Sequence, residues 1–238
     1  MTAFNRIIAV LGLVLASSQA QAVPISFSFV SGLGTLTQGS GNSYTYTDPT
    51  SGIALTATGW WTQLKANRSL NFTAATLTSD PSSGLGVCAG TSNCATTTLD
   101  NVGGGSDMIL FSFSAPVTLQ SLNLQQFNSD SDLNLWAGTS PLKVSRTNPS
   151  KLDSSAAALS INNIDTLQGN RWINLTSFSG TYNWIAVAAG IGQIDDFAKL
   201  KSLTVATPMT PVSETATWVT MLAGAGLVGF RVRRRIRG

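Results

Sequence analysis

Hydrophobic and polar positions alternate with a period of two through most of the chain. Ile25-Ser-Phe-Ser-Phe-Val30 alternates strictly, and Val117-Thr-Leu-Gln-Ser-Leu-Asn-Leu124 is the longest such run. Tyr44–Tyr46, Ile53–Ala57, Leu70–Thr73, Ile109–Phe113, Leu133–Trp136, Trp172–Leu175, Trp184–Ala188 and Leu200–Val205 follow the same pattern more loosely. A period of two places alternate side chains on opposite faces of an extended chain, which is the signature of half-buried strands. Turn formers separate the runs: Asp48-Pro49, Ser79-Asp80-Pro81, Gly103-Gly104-Gly105, Asn148-Pro149 and Gly169-Asn170. About ten short strands with polar turns predict one all-β domain over residues 23–207, an antiparallel β-sandwich of jelly-roll type. Lys151–Leu159 is the one stretch that reads as a short helix.

Both ends break the pattern. Residues 1–22, MTAFNRIIAVLGLVLASSQAQA, place Arg6 before an apolar run, Ile7–Ala16, and end in Ala20-Gln21-Ala22. Charge, apolar run and small-residue exit in that order predict a signal peptide cleaved after Ala22, and hence export from the cytoplasm. Residues 208–238 hold a polar, Pro-containing spacer, an apolar stretch from Ala216 to Phe230, and the basic terminus Arg231, Arg233, Arg234, Arg235 and Arg237. The apolar stretch is 15 residues, shorter than the roughly 17–25 of an ordinary spanning helix. Trp218 near one end and the arginines at the other are interface anchors, and the basic flank orients that end to the cytoplasm. A hydrophobic C-terminal helix in a membrane is the expectation; an ordinary tail anchor is the alternative.

Composition narrows the function. The 238 residues include no histidine and two cysteines, which removes His-dependent nucleophilic catalysis, His-ligated metals and four-thiolate sites. The formal charge of +3 arises at the termini. Between Val23 and Thr207 eight Lys/Arg face ten Asp and no Glu, a net of −2, so nucleic-acid binding loses its electrostatic basis. Adjacent Asp195 and Asp196 point to opposite faces of a strand, a poor arrangement for a hydrolytic carboxylate pair. The chain is expected not to be an enzyme.

Three further groups stand out. Cys88 and Cys94 are close in sequence, and in an exported protein they are expected to form a disulfide fixing a local loop. Asp100, Asn101 and Asp107 share a Gly-rich loop, and Asp130 and Asp132 can share a strand face. Together they form a candidate Ca²⁺ site of hard oxygen ligands, unless they make Asx turns instead. Trp60 and Trp61 are neighbours and cannot both face inward, which makes one of them a candidate glycan contact; the other tryptophans are expected in the core.

The tail VSETATWVTMLAGAGLVGFRVRRRIRG resembles the PEP-CTERM sorting signal of Gram-negative bacteria: a short motif, a glycine-containing apolar segment and an arginine cluster. Ser213-Glu214-Thr215 stands where Pro-Glu-Pro is usual, so only Glu214 matches the motif. The segment Gly84–Gly138, with its GLGV-Cys loop, Asp-Asn-x-Gly turn, F-x-F strand and Ser-Asp strand start, is similar to exosortase-dependent surface proteins; so is Asp195-Asp-Phe-Ala-Lys-Leu200 ahead of the tail. The resemblance implies an exosortase-type membrane peptidase as partner, transient anchoring of the C-terminal helix in the inner membrane before processing, and delivery to the cell surface or a biofilm matrix. It implies a non-catalytic structural or interaction role there. The alternative is a carbohydrate-binding module acting in exopolysaccharide.

Overall fold

The computed structural model describes residues 22–30, 37–38, 43–63, 71–89, 97–102, 105–127, 130–163, 168–191 and 196–208. The signal-peptide segment up to Gln21, Cys94, Asp195 and the whole sorting tail, including Ser213, Glu214, Thr215, Arg231, Arg233, Arg234 and Arg235, lie outside them. So does the expected C-terminal helix. Among the described residues no helix is long and apolar enough to cross a membrane.

Among the described residues there are fourteen strands: β1 (Pro24–Ser28), β2 (Thr37–Gln38), β3 (Ser43–Thr47), β4 (Ala54–Gln63), β5 (Thr73–Ala74), β6 (Thr76–Asp80), β7 (Gly84–Cys88), β8 (Leu99–Asp100), β9 (Gly105–Gln126), β10 (Leu133–Gly138), β11 (Ala157–Ile161), β12 (Gly169–Asn174), β13 (Tyr182–Ala189) and β14 (Phe197–Ala206). A short helix among them, α1 (Pro149–Ser155), follows a 3-10 turn at Val144–Arg146. All the pairings are antiparallel, as the alternating pattern requires of an all-β chain.

The 22-residue strand β9 organises the domain. Its first half pairs β4, from Leu55↔Phe113 to Gln63↔Gly105, and β13, as in Ile185↔Phe111 and Ala188↔Met108. Its second half pairs β12, from Asn174↔Ser121 to Gly169↔Gln126, and β14, from Ala206↔Thr118 to Ala198↔Gln126. Pro116 falls in the bulge of the β13 pairing, between Trp184↔Ser112 and Tyr182↔Val117, a place where a residue without an N–H is tolerated. The two runs read from the sequence as separate strands are therefore one strand that changes partners around a proline-containing bulge.

The core follows from the same period of two. Ile109, Phe111, Leu135, Ile185 and Val187 of one strand group pack with Ile25, Phe27, Leu122, Leu124, Leu203 and Val205 of the other. Phe29 stacks on Phe111 at 5.2 Å between ring centres, and Phe27 meets Phe113 at 6.4 Å. The intervening residues Met108, Leu110, Trp136, Trp184, Ala186 and Ala188 form a second buried cluster with Phe72, Val144 and Leu152. The first half of β9, with β10 and β13, is thus buried on both faces, and α1 with the 3-10 turn covers the outer one.

Helix α1 starts earlier and ends sooner than the expected Lys151–Leu159. Asn148 caps it, its Oδ1 accepting from Lys151 N at 2.9 Å, with Pro149 next, the favoured order at a helix start. Ala157–Ile161 instead forms β11 against β10, from Ala137↔Ala157 to Leu133↔Ile161. Strand pairing overrides the helical propensity of three alanines. The GLGV-Cys loop is also a strand, β7, buried throughout. Glycine is required there: a Cβ on Gly86 would lie 1.8 Å from Thr97 O, and one on Gly84, at φ +99°, 2.1 Å from Leu200 O.

Candidate functional site

Most of the acidic side chains singled out above gather where β8, the start of β9, the segment before β10 and the start of β14 meet. The pairing Phe197↔Asp100 sets β8 beside β14, and Phe197 N donates to Asp130 O at 3.0 Å. One carboxylate oxygen each from Asp130, Asp132 and Asp196 lies within 4.8 Å of the others. Asp132 and Asp196 are buried, and Asp130 is half-buried.

Asn101 is the hinge pin of this corner and is completely buried. Its Nδ2 donates to Gly190 O at 2.9 Å and also to Asp196 Oδ2. Its Oδ1 accepts from Asp196 N at 3.0 Å. The second oxygen of Asp196 accepts from Asp132 N at 2.7 Å. Asp132 Oδ1 in turn accepts from Asn163 N, and Asp130 Oδ1 from Ser131 N at 2.7 Å. Each carboxylate of the trio therefore accepts at least one N–H, as buried polar groups must. Arg171, distant in sequence, brings Nη1 to Ser131 O at 2.7 Å and Ser131 Oγ at 2.6 Å. It sets a positive charge beside a segment that carries no Lys or Arg of its own between Arg68 and Lys143.

Asp100 and Asp107 form a separate pair. Asp100 accepts from Thr98 Oγ1 at 2.8 Å and Val102 N at 3.2 Å, an Asx turn. Asp107 lies within β9 rather than on a loop, opposite Trp61, and its Oδ2 accepts weakly from Asp100 N at 3.4 Å. Burial, and then the neighbouring Asp100 charge, push the Asp107 carboxyl up to about 8, so at neutral pH it is held as the acid.

The five predicted oxygen ligands are therefore split. Asp130 and Asp132 come together with Asp196, which sequence reasoning weighed only as half of a catalytic pair. Asn101 bonds to that trio, while Asp100 and Asp107 are not in it. The residues that could hold a hard divalent cation are Asp130, Asp132 and Asp196. The signal for Asp196 was the residue after Asp195 at the very start of a strand, a position whose partner loop no local pattern names.

The tryptophans need a correction. Trp60 and Trp61 do point to opposite faces of β4, but each is half-buried: Trp60 packs on the Met108–Trp136 cluster and Trp61 on the main core. Neither is an open platform. Among the described residues the exposed tryptophan is Trp172 on β12, at 63%, a residue expected in the core. Its strand pairs only with β9 among the described strands, so a side chain on its outer face has no covering layer.

A cavity of about 520 Å³ opens between β10, α1 and β13, lined by Thr139, Ser140, Ser154, Ser155, Tyr182 and Trp184 among others. It carries hydroxyls and no carboxylate, amine or thiol. Comparison with family models and with curated protein sequences finds no match.

Proposed function

We propose that the chain is an exported, non-catalytic surface or extracellular-matrix protein of a Gram-negative bacterium, sorted through an exosortase-type C-terminal signal. The ectodomain is read as a β-sandwich of jelly-roll type. The observation that carries this reading is the tail: directly after β14 ends at Ala206, the sequence turns to a polar spacer, a 15-residue apolar stretch and an arginine cluster. That tripartite order has no role in a β-fold and suits transient anchoring in the inner membrane.

The site geometry supports a non-catalytic role. Asp132 and Asp196 are buried and bonded to amides rather than facing a cleft, and the β10–α1–β13 cavity lacks a group able to move a proton near neutral pH. The acidic corner acts as a structural knot that joins loops from four strands.

Intact mass of the extracellular form, made in a host with an exosortase, tests the reading. The expected species starts at Val23, lacks Arg231–Gly238 and shows no reactive thiol before reduction, with Cys88 joined to Cys94. A species that keeps Met1–Ala22 overturns export by signal peptide. One that keeps Arg231–Gly238 makes the tail a permanent anchor.

A further inference from the structure

Three of the body's eight Lys/Arg fall close together: Lys143, Arg146 and Lys151, on the 3-10 turn and helix α1 that cover the outer face of β10 and β13. All three are exposed. Between Lys143 and Ser155 they meet the single carboxylate of Asp153, which leaves that segment at +2 on a body of −2. Asp153 is engaged elsewhere, its Oδ1 accepting from Trp136 Nε1 at 2.8 Å. Among the described residues the charged heads of Lys143 and Arg146 have no ion-pair or hydrogen-bond partner. The Lys151 ammonium donates to Arg146 O at 3.1 Å, a neutral carbonyl that leaves its charge in place. A basic patch of this kind on an acidic body draws anions to one spot on its surface.

The patch borders the cavity of about 520 Å³ between β10, α1 and β13, a volume within the usual range for a ligand site. Ser154 Oγ and Ser155 Oγ, both in the cavity wall, donate to Lys151 O at 3.0 and 2.6 Å. On the opposite wall the lining residue Leu142 leads directly into Lys143. The aromatic part of the lining is fixed. Trp184 Nε1 donates to Ser140 O at 2.7 Å, and position 138 must be glycine, because a Cβ there would run into the indole. Tyr182 meets Phe178 edge-on at 5.8 Å between ring centres, and its hydroxyl lies against Gly180. Three hydroxyls of the lining remain open. Thr139 and Ser140 are exposed and Tyr182 is half-buried, and their side-chain oxygens bond to nothing among the described residues.

The geometry points to this cavity and its basic rim as a binding site for an acidic saccharide, one whose sugar rings carry carboxylates. The ring hydroxyls meet the open hydroxyls of Thr139, Ser140 and Tyr182, and a ring carboxylate meets Lys143 and Arg146. A guanidinium pairs with a carboxylate through two parallel bonds, a recognition that a neutral sugar does not offer. No carboxylate lines the cavity to repel such a ligand. A hydroxyl-lined cavity alone suits a neutral sugar, and a basic patch alone suits any polyanion. Here the two adjoin, and that juxtaposition names the class. The inference rests on the matrix reading above and gives it a ligand class and a surface.

The test uses purified full-length protein in detergent, titrated by calorimetry with trigalacturonate, with the neutral cellotriose and, as a polyanion without sugar rings, with tripolyphosphate. Saturable binding of trigalacturonate is expected, weakened at least about tenfold when Lys143→Gln and Arg146→Gln are combined. Tyr182→Phe keeps the ring, removes one open hydroxyl and should weaken binding about threefold. Lys201→Gln, on β14, leaves it unchanged. The thermal midpoint of the Lys143→Gln, Arg146→Gln protein should stay at the wild-type value, since both side chains are exposed, so its lost binding is not lost fold. No binding of trigalacturonate up to about 10 mM overturns the proposal. So does tripolyphosphate binding of equal strength that Tyr182→Phe leaves untouched, which makes the patch a general anion sink. Cellotriose binding as tight as that of trigalacturonate, and indifferent to Lys143→Gln and Arg146→Gln, overturns the acidic class. These readouts need no processing event, so their failure is distinct from failure of the export reading, which shows in the mature mass.

Discussion

Replacing Asn101 by alanine should remove the pin of the acidic corner. The side chain is fully buried and makes three bonds that cross the fold: Nδ2 to Gly190 O at 2.9 Å, Nδ2 to Asp196 Oδ2, and Asp196 N to Oδ1 at 3.0 Å. Truncation strands a buried carbonyl, a buried amide and one oxygen of a buried carboxylate. Each unsatisfied buried group costs about 1–3 kcal/mol, and the three share one neighbourhood, so about 3–5 kcal/mol is the expected total rather than the full sum. That is a large share of a typical domain's stability. For a chain of this size it corresponds to a fall in thermal midpoint of about 10 °C or more. Circular dichroism melts with parallel urea titration measure it. Asn101→Asp is the sharper companion: it keeps the shape, swaps a donor for a carboxylate facing Asp196, and should be worst at neutral pH and partly recover as pH falls. A midpoint for Asn101→Ala within about 2 °C of wild type would refute the reasoning, because water would then be replacing every bond at no net cost.

Two further outcomes test the electrostatics of the same corner. The Asp107 carboxyl is raised to about 8 by burial and then by Asp100, so the folded state holds a proton that the unfolded chain sheds near its ordinary carboxylate range. Its contribution is fully present below that range and is lost as pH rises through about 8; Asp107→Asn should flatten the fall in stability between about pH 5 and 8, and curves that stay parallel to wild type would exclude the effect. Three carboxylate oxygens within 4.8 Å repel one another, and a hard divalent cation offsets that repulsion. Calcium at about a hundredfold excess over its Kd should therefore raise the midpoint by about 2.7 kcal/mol equivalent over a chelator control; a rise absent in Asp196→Asn assigns the ion to the trio, and an unchanged wild-type midpoint leaves it held by N–H donors alone.

The strands were legible where the run alternates, as in β1 and the second half of β9, and apolar runs also marked the doubly buried β10 and β13. β7 was not legible. Gly84–Cys88 shows no alternation because all five residues are inside, and glycine there answers to Thr97 O and Leu200 O, which are remote in sequence. Trp172 illustrates the same limit from the other side. The pattern Trp-Ile-Asn places Trp172 and Ile173 on opposite faces, but which face meets the core is set by Ile173↔Leu122, a pairing that residue types alone do not reveal. The acidic corner was half legible: Asp130 and Asp132 come together, though in the segment before β10 and not on a shared strand face as their i, i+2 spacing suggested, whereas Asp196 and Arg171 arrive through pairing of β14 and β12 with the two edges of the second half of β9.

That pairing also links the acidic corner to the outer face. Arg171 and Trp172 are consecutive on β12, so they leave the strand on opposite sides. The guanidinium of Arg171 ties itself to Ser131 between Asp130 and Asp132, in the very loop where Asp196 accepts from Asp132 N and Asn163 N donates to the Asp132 carboxylate. A strand with a single described neighbour is ordinarily the part of a sheet that frays most easily. Here its middle residue is fastened to a buried network on one side while its indole is offered on the other. Joined through Arg171, the carboxylate knot turns a weak edge into a fixed one. This gives the buried acidic cluster a purpose that catalysis does not: it holds still the one strand on which the domain leaves a tryptophan in water.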